Sequence, residues 1–124
     1  MRHLKKRNTL GRAADQRKAL LRGLSQELII HGKIKTTLTK AKVLRSFVEK
    51  IITKAKKANQ AEEKVQKYHY IRLIRKLINK EALRKVLKAA EKLKDRNGGY
   101  TRILKLASRK GDNAPMSLIQ ILED

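Results

Sequence analysis

Charge constrains this chain more than any other feature. Lys and Arg number 33 against 11 Asp and Glu, a formal net charge of +22 spread over 124 residues. Self-repulsion at that level opposes compaction unless a polyanion neutralises it. Solvated faces ordinarily mix both signs; here bases outnumber acids threefold, so the charge itself implies a partner. Nucleic acid and an anionic membrane surface are the two classes to weigh.

The membrane class lacks its usual tools. There is no Trp, and the single Phe, Phe47, falls in a core-type stripe, whereas an interfacial helix needs a wide apolar face with aromatic anchors. Apolar runs such as Leu28-Ile29-Ile30 are far too short to span a bilayer. Catalysis is also poorly supported. The chain has no Cys, and His3, His31 and His69 have no carboxylate or thiol at a spacing that suggests a site. The glycines of "NGGY" lack the Lys and hydroxyl of a phosphate loop. We therefore expect no enzyme activity, cofactor, metal site or small-molecule substrate.

For nucleic acid, composition sets the mode of binding. Aromatics make up 3% of the chain, too few for a stacking platform. Recognition should run through phosphates and shape, with counterion release supplying affinity. Basic residues occur on every element, which fits a partner that surrounds the protein, such as folded RNA, better than a duplex read by one helix. A nucleoid or histone-like DNA-binding protein is the alternative.

The 3.6-residue and two-residue periodicities give the elements. Residues 1–12, "MRHLKKRNTLGR", are basic, acid-free and without a stripe, and read as an extended arm. A helix is expected over about 15–31, capped by Asp15 and stopped by Gly32, with Leu20, Leu21, Leu24 and Leu28 inward. "KIKTTLT" alternates as a strand over 33–39. Thr39 should cap a second helix over about 40–58, whose apolar positions are Leu44, Phe47, Val48, Ile51, Ile52 and Ala55, with Glu49 bracing Arg45. Helices over about 61–79 and 80–95 follow. The first buries Tyr70, Ile71, Ile74, Leu77 and Ile78; the second buries Leu83, Val86, Leu87, Ala90 and Leu93. After the "RNGGY" turn, "YTRILKLA" and "MSLIQILE" read as strands joined through Gly111, Asp112 and Asn113. The expected fold is α/β (α+β): about four helices packed on a small mixed three-stranded sheet, with the arm over 1–12 and one compact domain over 13–124. Strand order stays open.

Several segments in order, "MRH", "LGR", "RKALLRGL", "IKTTLTKAK", "GGYTRILKL" and "GDNAPM", closely resemble the bacterial-type large-subunit ribosomal protein family numbered seventeen. The match covers both ends and the first two helices; residues 59–95 match in helical character but not in motif. The resemblance implies a structural constituent of the large ribosomal subunit, bound to 23S-type rRNA near the peptide-exit side, monomeric within the particle and beside other large-subunit proteins. The compartment would be the bacterial cytoplasm or an organelle.

The resemblance and the charge together nominate RNA-binding residues. In the arm these are Arg2, His3, Lys5, Lys6, Arg7 and Arg12. The first helix offers Arg17, Lys18 and Arg22. The strand and second helix offer Lys35, Thr36, Thr37, Lys40, Lys42 and Arg45. The C-terminal segment offers Gly98, Gly99, Tyr100, Arg102, Arg109 and Lys110, with the glycines allowing close backbone approach and Arg102 and Arg109 gripping phosphate.

Overall fold

The computed structural model describes residues 9–122. Along the chain run α1 (Ala14–His31), β1 (Lys33–Thr37), α2 (Leu38–Gln60), α3 (Lys64–Arg75), α4 (Lys80–Lys92), β2 (Thr101–Leu106) and β3 (Met116–Ile121). This is the α+β arrangement of four helices and three strands that the periodicities predict.

The second helix is the centre of the fold. Its stripe of Leu44, Val48, Ile51, Ile52 and Ala55 is fully buried, together with Ala41 and Ala58. Such a face serves several neighbours at once, and α1, α3, α4 and all three strands pack against α2. The opposing apolar residues are Leu28 from α1, Ile74 and Ile78 from the α3 region, Ala82, Val86, Ala90 and Leu93 from the α4 region, and Ile119 and Ile121 from β3. Tyr70, Ile71, Leu77, Leu83 and Leu87, expected inside, are only partly buried.

Helix ends differ from expectation by a few residues, for local reasons. Asp15 lies in the first turn of α1, where its charge complements the helix dipole, and Ala13 occupies the cap position. Similarly Thr37, not Thr39, precedes α2, without a side-chain cap bond. α3 stops early because Asn79 caps the next helix, its side chain accepting from Ala82 N at 2.9 Å. Gly32 ends α1 as predicted, in the left-handed region at φ 79°, with its N–H donating to Leu28 O.

The sheet order is β1-β3-β2 and both pairings are antiparallel, where the sequence reading expects a mixed sheet. The short connection over 107–115 folds β3 directly back along β2, which permits only antiparallel pairing. β3, the most apolar strand, takes the centre. Along it Ser117, Ile119 and Ile121 are buried beneath the helices, while Met116, Leu118 and Gln120 face the other way. Register then assigns the open face: one row is Lys33–Gln120–Arg102, the next Lys35–Leu118–Leu104, the last Thr37–Met116–Leu106.

Candidate nucleic-acid interface

Arg2, His3, Lys5, Lys6 and Arg7, and with them most of the expected arm, lie outside the described residues. Arg12 is exposed just ahead of α1, on a turn closed by its N–H donating to Thr9 O at 3.0 Å. Lys18 and Arg22 are exposed one turn apart on α1, and Arg17 is half-buried at its start. Lys42 and Arg45 are exposed on α2, and Lys40 is half-buried. Arg45 lies 3.7 Å from Glu49, the bracing pair expected from their spacing.

The open sheet face gathers a second set of cations. Cross-strand register places Lys33 and Arg102 on either side of Gln120, with Lys35 one row along β1. Lys33, Arg102, Gln120 and His31 line a shallow cleft at the sheet end together with Gly32. The sequence reading missed Lys33. Its alternation with Lys35 across Ile34 was the available signal, since residues two apart on a strand share a face.

Arg102 is held by its neighbours on β2. Thr101 Oγ1 donates to Glu49 Oε1 at 3.0 Å. Immediately before the strand, the Tyr100 ring lies 5.0 Å from Lys56 Nζ, which also donates to Tyr100 Oη at 3.1 Å and to Arg96 O. Two adjacent residues therefore tie the start of β2 to α2, and the Arg102 side chain projects from an anchored strand. This is the arrangement that lets a guanidinium fork meet a phosphate with little ordering cost.

Three expected contributors change role. Tyr100 is 4% exposed; with ring and hydroxyl both engaged by Lys56, it belongs to the core and offers no surface to RNA. Thr36 is buried on the helix-covered side of β1, its carbonyl accepting from Ser117 Oγ, while Thr37 is only half-buried at the strand end. The Arg109 fork is occupied: Nε donates to Asp112 Oδ1 at 3.0 Å and Nη2 to Oδ2 at 2.6 Å. That pair raises the Arg109 pKa and, with a further bond from Ala114 N, holds the Asp112 carboxyl down at about 2. Arg109 thus builds the β2–β3 turn, which leaves Lys110 exposed at its tip. The i, i+3 spacing of Arg109 and Asp112 was the signal for this. Gly98 and Gly99 are both exposed, but only Gly99 has positive φ, at 61°.

Among the described residues, Arg12, Arg17, Lys18, Arg22, Lys35, Lys40, Lys42, Arg102 and Lys110 form no ion pair. Also among the described residues, no group of His, Asp or Glu is arranged to hold a metal ion, and no helix is long and apolar enough to cross a membrane.

Comparison with known proteins adds a family. The model for ribosomal protein L17 matches residues 20–122. Large ribosomal subunit protein bL17 of Fervidobacterium nodosum is 44% identical over 128 aligned positions, covering 99% of this chain and 100% of that protein. Its counterpart in Thermotoga neapolitana is 41% identical, covering 99% of this chain and 95% of the relative. That of Opitutus terrae is 46% identical, with 99% and 74% covered.

Proposed function

The chain belongs to the ribosomal protein L17 family, and from that premise we propose that it is a structural constituent of the large ribosomal subunit, without enzymatic activity. It binds folded 23S-type rRNA on the peptide-exit side, as a monomer beside neighbouring large-subunit proteins, in the ribosomes of a bacterial cytoplasm or an organelle. Three surfaces make the contact: the outer faces of α1 and α2, the cationic end of the open sheet face around Arg102, and the basic arm.

One observation carries this reading. Of the basic candidates within the described residues, only Arg45 and Arg109 are engaged by carboxylates. Cations that fold without internal partners are available to a polyanion, and each one that meets a phosphate releases counterions.

The test is competition between tagged variants for incorporation into large subunits, read by sedimentation. Arg102→Lys retains the charge and loses the two-pronged fork, so it should incorporate less well than the wild type while melting at nearly the same temperature. Affinity for an rRNA fragment should fall steeply with salt, with a slope reporting several phosphates. Equal incorporation would reduce Arg102 to a surface charge. Migration as a dimer with DNA rather than with the large subunit would overturn the ribosomal assignment.

A further inference from the structure

The third helix lies in the stretch where the resemblance lacks motifs, and it presents an unusual surface. Tyr68 is 61% exposed and Val65 78% exposed. Tyr68 is the one exposed tyrosine: Tyr70 is half-buried with its ring edge-on to His69, and Tyr100 is in the core. The spacing of Tyr68, Ile71, Arg72 and Arg75 puts them on one side of α3. Together with Lys76 they line a single open groove. Ile71, expected in the core, is instead a half-buried floor for it. Among the described residues, none of Arg72, Arg75 and Lys76 has an ion-pair partner.

We infer that this groove is a binding site for one unpaired nucleotide of an RNA, its base stacked on the Tyr68 ring and its phosphate held by Arg72 or Arg75. The inference rests on the RNA-binding reading above and adds a ligand class to it. Three unpaired cations around an accessible ring select an anion that carries a flat π face, and a nucleotide is both. A paired base cannot fill the groove, because its faces are already stacked within the helix; a bulged or loop base can be splayed onto an aromatic ring. A second copy of the chain would bring cation against cation. One ring is no platform for a run of bases, but it suffices for one base.

The experiment measures binding of the full chain to two RNA hairpins, one fully paired and the other carrying a single unpaired adenine. The wild type should prefer the bulged hairpin about tenfold, within the range for one stacked base. Tyr68→Leu should lose that preference and keep the affinity for the paired hairpin, since no phosphate contact is removed. Tyr68→Phe should restore it, because the ring and not the hydroxyl is required. Equal preference in wild type and Tyr68→Leu would overturn the site while leaving RNA binding intact. Failure of the wild type to bind either hairpin would overturn the RNA reading itself. Loss of subunit incorporation by Tyr68→Leu with hairpin discrimination unchanged would reassign the face to a protein neighbour, and the nucleotide site would fall.

Discussion

Gly98 and Gly99 allow a sharp test, because they are adjacent, exposed and sterically free yet differ in one respect. A Cβ built at either position meets nothing within 4 Å. Only Gly99 has positive φ, 61°. Substitution by Ala therefore introduces no clash at either site, and the whole difference between the two variants is backbone strain. Ala lowers the entropy of the unfolded chain at both positions, a gain of about 0.4–1 kcal/mol where the native backbone suits it. At Gly99 the left-handed conformation costs about 1–2 kcal/mol against that gain. Gly98→Ala should accordingly be neutral or slightly stabilising and Gly99→Ala destabilising, the pair separated by about 1–2 kcal/mol. For a chain of 124 residues, unfolding entropy of about 2 cal/mol/K per residue makes each kcal/mol about 4 °C in Tm. The variants should melt about 4–8 °C apart by circular dichroism, in enough salt to screen self-repulsion. Gly99→Asn should recover part of the loss, since Asn tolerates this region, and Gly99→Val should lose more. Equal melting temperatures for the two Ala variants would refute the argument and with it the left-handed turn into β2.

Three other outcomes are expected. Ile119→Ala, at a fully buried site in the central strand, should lower urea-unfolding stability by about 2–5 kcal/mol; Leu104→Ala on the open face, where Leu104 is 43% exposed, should cost well under half as much. Because the Asp112 carboxyl is held down at about 2 from its ordinary 3.8, its contribution to the β2–β3 turn is fully present above about pH 4 and is lost as pH falls toward 2. The Asp112 carboxyl and Arg109 Nε chemical shifts in NMR should titrate together over that acid window, and Asp112→Asn should remove the Arg109 transition. Lys56→Ala leaves Tyr100 Oη and Arg96 O without their donor and should destabilise by about 2 kcal/mol, with the Tyr100 ring resonances shifting.

Much of the architecture was legible in the sequence because it depends on local regularities. The i, i+3, i+4 stripe from Leu44 to Ala55 makes a helix whatever it packs on, and all its members except the half-buried Phe47 are fully buried. Gly32 ends α1 because glycine takes positive φ without steric cost, and the alternation of Met116–Ile121 makes a strand with one buried face. The charge excess and the motif order were enough to indicate the family and an anionic partner. Which cations remain available was another matter, since that depends on residues distant in the chain. Tyr100 is in the core because Lys56, on another element, reaches its ring and hydroxyl. Arg102 and Lys33 flank Gln120 because β3 sits between β1 and β2, an order set by long-range pairing that no local period encodes. Periodicity tells each residue which side of its own element it takes. Only the packing of elements decides whether that side meets a helix, a carboxylate or open solvent, and therefore which charges are left for a partner.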